Sequence, residues 1–351
     1  MRVSVCDYQV PFVTGGAEAL DTALVRQIRA AGHAADLVTL PFAWTPRLQI
    51  LQSALAWRLV SLDGAEGPPD LVVAGRFPSY LVRHPNKVVW LIHQFRQVYD
   101  LLGTRWSDFG DSVADRAMID RIHEMDRRGL REARRIYTIS RNSADRLRRH
   151  LGIEAEVLHP PPALEGRLRP GEQGDYVFTV SRLDRMKRVE LLVDALAACR
   201  SGVRARIAGG GPERDALERR IAERGVGERV ELLGRVDDDE LVRLYAGARA
   251  VYYAPYDEDY GYVAIEAFLS GKPVVTTSDS GGVLEFVDHE RNGLVAPAGK
   301  VAAVAAALDR LAADPDLAGR LGAAGQRTVS HIRWRRVVET ITGTAAAETP
   351  A

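Results

Sequence analysis

One pattern repeats along almost the whole chain: a short apolar run, a turn, and then a stretch with apolar residues at helical spacing. "MRVSVCDY", "AADLVTL", "PDLVVAG", "KVVWLIHQ" and "ARRIYTIS" read as strands, and "QVPFVTGGAEALDTALVRQIRAAGH" and "RNSADRLRRHLG" as turn-plus-helix segments. Strands that alternate with helices favour a parallel sheet with crossover helices. The alternation breaks once, at "HPPPALEGRLRPGEQGD" from His159 to Asp175, which is rich in Pro and Gly and has no apolar period. That segment reads as an interdomain linker. The pattern restarts with "DYVFTVS", "VRARIAG", "RVELLG", "RAVYYAP" and "KPVVTTS". A chain of 351 residues is also too long for one ordinary core. The expectation is two α/β domains, 1–160 and 175–330, joined by a linker over 161–174. "HIRWRRVVETITGTA" reads as a final helix, and the tail "AAAETPA" is expected to be disordered.

Charge excludes some functions. Lys plus Arg and Asp plus Glu both number 47, with a pI near 7.1, where a nucleic-acid binder would carry a basic excess. No 18-residue apolar stretch exists to span a membrane, and "MRVSVCDYQV" carries no export signature. Cys6 and Cys199 fall in different predicted domains, which fits a reducing cytoplasm, and no Cys/His cluster has metal-ligand spacing. The expectations are a cytoplasmic location and no bound metal.

"PYDEDYGYVAIEAF", Pro255 to Phe268, concentrates acids around Gly261 where an apolar helix begins. A helix start offers unpaired N–H groups and the positive end of the dipole. Gly261 permits close approach of a phosphate. Glu258 and Glu266 can instead reach sugar hydroxyls, since a carboxylate accepts two hydrogen bonds from a vicinal diol. The plainer reading is acids that simply complement the dipole. In "SRLDRMKRVELL", Arg182 and Lys187 follow a strand and would neutralise a diphosphate, or else form a solvated basic loop. "IAGGGPERDAL" offers a tight turn that includes Gly210, but Arg214 stands where a dinucleotide fingerprint needs its third glycine. Gly15 and Gly16 in "VTGGAE" are a weak signal alone.

In their order, these stretches resemble the retaining glycosyltransferases of family 4. Glu258 and Glu266 stand in that family's E-x7-E frame, Arg182 and Lys187 in its R-x4-K, and "AGGGPE", "LLGRVDDDEL", "SDSGGVLEFV" and "NGLV" follow in the usual order. "EDYGYV" departs from the commoner "EGFGLV", which leaves the sugar open, and "HPPP" replaces an asparagine-glycine pair. The resemblance implies the GT-B fold: two facing Rossmann-like α/β domains with a cleft between them, and a C-terminal helix at about 331–345 that packs back onto the N-terminal domain. It implies a metal-independent, hexosyltransferase-type enzyme with no cofactor, which moves a sugar from a nucleotide-diphosphate sugar to an acceptor hydroxyl with retention. By the same resemblance Glu266 holds the ribose diol. Glu258 holds hydroxyls of the transferred sugar, beside Asp259 and the backbone of Tyr260, Gly261, Tyr262 and Val263. Arg182 and Lys187 bind the diphosphate near Gly210, Arg235 and Val236 frame the base, and Gly15 and Gly16 approach the phosphates and the acceptor. His93, in "LIHQF", matches a histidine near the reacting sugar, and Gly281, Gly282 and Glu285 shape the cleft floor. The catalytic set implied is His93, Arg182, Lys187 and Glu258.

The acceptor is not named: a sugar, a lipid-linked molecule and a small metabolite all fit. "PFAWTPRLQILQSALAWRLV", with Trp44 and Trp57, reads first as a core helix and second as a patch for a membrane surface or lipid acceptor. The ten arginines of "RIHEMDRRGLREARRIYTISRNSADRLRRH", with Glu124–Arg128 and Asp145–Arg149 at i,i+4 spacing, read as a solvated face. Rival functions are an epimerase or phosphorylase of the same architecture and a non-catalytic nucleotide-sugar-binding protein.

Overall fold

The computed structural model describes residues 1–13, 15–65 and 67–343. They form two compact units: Met1–Ala163 with the C-terminal segment from Arg333, and Leu164–Ile332. The tail expected to be disordered, residues 345–351, lies outside the described residues.

The first unit runs β1 (Arg2–Gln9), α1 (Gly16–Ala30), β2 (Ala34–Pro41), α2 (Leu48–Leu59), β3 (Leu71–Arg76), β4 (Lys87–His93), α3 (Val113–Arg131), β5 (Arg135–Thr138), α4 (Arg141–Leu151) and β6 (Glu156–Val157). Its sheet is parallel throughout, in the order β2-β1-β3-β4-β5-β6. A central parallel strand is covered on both faces and must be apolar along its length. β3 is accordingly buried at every position. The helices start where their side chains can cap them: Ser112 accepts from Asp115 N–H before α3, and Ser140 from Ser143 N–H before α4. α2 packs Ile50, Ala54 and Trp57 inward, while Leu48, Leu55 and Leu59 stay exposed together with Trp44. The two tryptophans read together from sequence therefore separate, one into the core and one to the surface.

The second unit runs β7 (Tyr176–Val180), α5 (Val189–Ala198), β8 (Arg204–Ala208), α6 (Arg214–Glu223), β9 (Val230–Gly234), α7 (Asp238–Gly247), β10 (Ala250–Tyr252), α8 (Tyr262–Leu269), β11 (Val274–Thr277), β12 (Gly293–Ala296), α9 (Val301–Ala313) and α10 (Pro315–Val329). Its strand order is β12-β11-β10-β7-β8-β9, again parallel. In both sheets the chain begins in the interior, builds outward to one side, then returns to build the other. The reversal falls between β1 and β3 in the first unit and between β7 and β10 in the second. At such a point the following helices leave on opposite faces and open a crevice beyond the carboxyl ends of the strands.

Two details differ from the sequence expectation. Residues 164–174, assigned to a linker by composition, belong to the second unit. Leu164 and Leu168 are buried there, Lys272 Nζ donates to Gly171 O at 3.0 Å, and Gly174 N–H donates to Gly247 O at 2.8 Å. A Cβ on Gly174 would stand 2.7 Å from Gly247 O, so the glycine serves a close approach rather than a hinge. The arginine-rich stretch also pairs otherwise: Glu124 with Arg121, Asp145 with Arg148 and Arg128 with Glu132. Arg146 is buried, 3.6 Å from Asp100, and takes no part in a solvated face.

A last helix, α11 (Trp334–Thr342), belongs to the first unit. Trp334 is buried edge-on to Trp90, with centroids 6.4 Å apart, and its Nε1 donates to Pro162 O. Val337, Val338 and Ile341 complete its buried face. Removing a buried indole costs about 3–5 kcal/mol. Trp334→Ala is expected to lose that amount in urea melts followed by circular dichroism, and a loss under about 1 kcal/mol would contradict the anchoring role.

Candidate active site

In the second unit β7 and β10 are neighbours, with Val177 opposite Ala250 and Phe178 opposite Val251, so the loops after them share one end of the sheet. After β7, Asp184 Oδ1 accepts from the N–H groups of Met186 and Lys187 and shapes a short 3-10 turn over Arg185–Lys187. After β10, Tyr256 N–H donates to Met186 O at 2.7 Å and ties the two loops together. Lys187 Nζ then lies 2.6 Å from Glu258 Oε2 and 3.4 Å from the Tyr253 hydroxyl. Burial works against the Lys187 charge, but the adjacent carboxylate outweighs it and holds the ammonium above the ordinary lysine range. Each side chain of the pair keeps 22% exposure, so a ligand can reach both. Arg182 is exposed, and its guanidinium makes no hydrogen bond or ion pair among the described residues.

Gly261 caps α8 at φ 95°, where a Cβ would meet Val283 Cγ2 at 2.7 Å. The Tyr260 and Val263 side chains are buried, Tyr260 against Phe286, so these residues can offer an outside ligand only main-chain groups. Glu266 sits one turn into α8 and accepts from the Tyr245 hydroxyl of α7 at 2.7 Å. Burial pushes the Glu266 carboxyl up to about 7, the tyrosine bond opposes this, and Asp238 adds to it. Gly281 and Gly282 lie beneath the acidic loop: Cβ atoms there would stand 2.6 Å from Glu258 O and 2.4 Å from Asp259 O. Asp259 and Tyr262 are half-buried.

Of the three glycines after β8, Gly209 and Gly211 press against Ser181 O and Leu183 O, while the Cβ direction of Gly210 is open. Arg235 is exposed and Val236 half-buried just before α7. The residues from Arg182 to Glu266 thus all come from loops or helix starts at one end of the second sheet.

The first unit holds Gly15, Gly16 and His93. A guanidinium that sequence reading missed organises the glycine loop. Arg76, at the end of β3, donates to Asp7 Oδ2 at 2.8 Å, to Tyr8 O at 3.0 Å and to Glu18 Oε1 at 3.0 Å. The other oxygen of Glu18 accepts from Gly15 N–H at 2.8 Å, which fixes the glycine loop at the start of α1. Asp21 completes the cluster at 3.8 Å. Burial first, and then the charge of Asp7, pushes the Asp21 carboxyl well above its ordinary range. His93 stands opposite Arg76 in the β3–β4 register, and its Nδ1 donates to Gln94 O at 2.7 Å. Single arginines among forty-three carry no composition signal; only their position after a strand could have marked Arg76.

Comparison with known proteins bears on both units. Residues 164–328 match the family model described as Glycosyl transferases group 1. A GDP-mannose-dependent alpha-(1-6)-phosphatidylinositol monomannoside mannosyltransferase of Mycobacterium tuberculosis is 35% identical over 199 residues, 52% of this chain and 51% of the relative. A D-inositol 3-phosphate glycosyltransferase of Streptomyces bingchenggensis is 29% identical over 231 residues, 58% of this chain and 50% of the relative. The chain spans about half the length of these curated relatives. Among solved structures, sucrose-phosphate synthase from Thermosynechococcus elongatus superposes with a TM-score of 0.80 at 20% identity, over 98% of both chains. The Anabaena HepE protein, solved with UDP and glucose, gives 0.74 at 19% identity, over 98% of this chain and 99% of that one. The chain has the GT-B fold, and its second unit matches the family model of group 1 glycosyl transferases.

Proposed function

We propose that the chain transfers a sugar from a nucleotide-diphosphate sugar to an acceptor hydroxyl, with retention at the anomeric carbon and without a metal ion. The observation that carries this reading is the cluster at the β7/β10 switch point, where Lys187, Glu258, the start of α8 and Glu266 lie at one end of the sheet. Its parts match a nucleotide sugar in order. Glu266 takes the ribose diol, and Arg182 and Lys187 take the diphosphate with Gly210 at its side. Glu258 takes hydroxyls of the sugar next to Asp259 and the backbone from Tyr260 to Val263, and Arg235 and Val236 frame the base. The bond from the anomeric carbon to the phosphate oxygen breaks, and its electron pair leaves on the diphosphate. The acceptor oxygen bonds to that carbon on the same face, and its proton passes to the departing phosphate. Lys187, Arg182 and the helix N-terminus stabilise the growing negative charge where other enzymes use a metal. For the first unit, the family resemblance assigns His93 a role with the reacting sugar and Gly15–Gly16 a role with the phosphates and the acceptor.

Relatives named for phosphatidylinositol and inositol phosphate acceptors support a polyol acceptor. The exposed Trp44, Leu48, Leu55 and Leu59 favour one with an apolar part, or a peripheral contact with the cytoplasmic membrane face. Among the described residues no helix is long and apolar enough to cross a membrane.

Incubation with UDP-, GDP- and ADP-sugars, with NMR of the products, tests the reading. One donor is expected to release nucleoside diphosphate and a sugar of unchanged anomeric configuration, at the same rate with or without chelator. No turnover of any donor overturns the function. Turnover abolished by chelator and restored only by Mg²⁺ or Mn²⁺ overturns metal independence.

The Glu266 carboxyl gives a second test. Its value near 7 means that it protonates as pH falls through neutrality and loses an acceptor for the diol. Donor affinity should therefore fall about tenfold from pH 8 to pH 6, because the ionised fraction falls by that factor. Calorimetry with the intact nucleotide sugar, whose phosphates do not titrate in this range, reads the change. Glu266→Gln should bind more weakly and show a flat profile; a profile unchanged by the substitution would remove Glu266 from the ribose.

A further inference from the structure

Arg188 follows Lys187 directly, and its backbone lies in the left-handed region at φ 50°. A residue with a Cβ rarely occupies that region. Asp257, directly before Glu258, does the same at φ 43°. The residues adjoining both members of the ion pair are therefore in sparsely populated conformations, which persist only where the surroundings over-determine them.

The Arg188 guanidinium supplies that determination. Its Nε donates to Ala254 O at 2.8 Å and its Nη2 to Pro255 O at 2.7 Å, gripping the main chain just after β10. It forks onto Asp279, with Nη1 to Oδ2 at 2.7 Å and Nη2 to Oδ1 at 2.9 Å, and Nη2 also reaches Thr277 Oγ1 at 2.9 Å. Those two residues end β11 and begin the loop after it. The same loop returns to the acidic segment: Asp257 N–H donates to Asp279 O at 2.9 Å and Glu258 N–H to Ser280 O at 3.3 Å. The Arg188 side chain is only 13% exposed. The loops after β7, β10 and β11 thus meet on one largely shielded fork.

We infer that Arg188 is a positioning residue, a clamp that fixes the three loops together and sets Lys187 against Glu258 before a donor arrives. The catalytic consequence rests on the reading of Lys187 and Glu258 as donor contacts. The geometric one does not. A lysine in this place could not hold the loops, because the bonds need a planar fork with several donors in fixed directions. A preset site matters because a displacement of about 1 Å at a reacting group can cost about a hundredfold in rate.

Arg188→Gly separates backbone from side chain, since glycine accepts φ 50° without strain while the guanidinium is lost. Arg188→Lys keeps the charge without the fork. Crystal structures of both are expected to show Lys187 Nζ and Glu258 separated beyond about 4 Å, the limit of an ion pair. Donor turnover is expected to fall about a hundredfold in kcat, with donor KM within about threefold, and Arg188→Lys should not rescue it. A pair that stays at 2.6 Å in Arg188→Gly, or an unchanged kcat, overturns the positioning role. If Arg188→Gly fails to fold, Asp279→Asn applies the same test from the other side of the clamp, with a smaller loss expected and an unmoved pair and kcat again overturning the role. Loss of the pair in a protein whose wild type turns over no nucleotide sugar would refute the proposed function and leave the clamp standing. Wild-type turnover with the pair intact in the variant would refute the clamp alone.

Discussion

Lys187 and Glu258 are 71 residues apart in the chain and 2.6 Å apart at the end of the second sheet. An ammonium on that end of the sheet, where α8 also presents its positive start, would be poorly placed without a counter-charge. Glu258 supplies it while leaving a part of both groups accessible. The pair therefore does two things: it holds two loops in register, and it keeps a cation and an acceptor ready at one spot. The cation suits a phosphate and the carboxylate suits hydroxyls. A molecule that carries both groups side by side, such as a nucleotide sugar, meets both at once.

The two units solve the same problem in the same way. In each, strand order reverses in the sheet interior, and the loops at that reversal need something to hold them. In the first unit Arg76 joins the end of β1, through Asp7 and Tyr8 O, to Glu18 and so to the Gly15 N–H. In the second Arg188 joins the segments after β10 and β11 to its own loop after β7. Both guanidinium groups are inward-facing and paired, which is costly unless every donor is satisfied. The forked geometry of arginine meets that demand, and it explains why side chains that touch no proposed ligand stand so close to the site.

Much of this was legible in the sequence, and the reasons are physical. Parallel strands buried on both faces must be apolar runs, so β1, β3, β4, β7 and β10 announce themselves. Glu258, Gly261, Glu266 and Lys187 stand out because acids, a glycine and a rare lysine are unusual where a strand gives way to a helix. Partners contributed by distant segments were not legible. Nothing local in "KRVELL" shows that Arg188 reaches Asp279, and nothing in "VRLYAGA" shows that Tyr245 meets Glu266. The connector was misjudged because Pro and Gly signal a turn or a close approach as readily as a flexible link, and residues 164–174 use them to lie against the second unit. The arginine pairs were misjudged because i,i+3 and i,i+4 spacings lie on the same helix face.

The central claim is that the Lys187–Glu258 pair is where a diphosphate sugar binds. Calorimetry with a nucleoside and its diphosphate tests it most directly, on the wild type and on a double variant, Lys187→Met with Glu258→Gln, that leaves no uncompensated carboxylate. A lost charge-assisted bond of about 1.5–3 kcal/mol should weaken diphosphate binding by about 10–100-fold and leave nucleoside binding unchanged. Equal affinity of both proteins for the diphosphate would contradict the account.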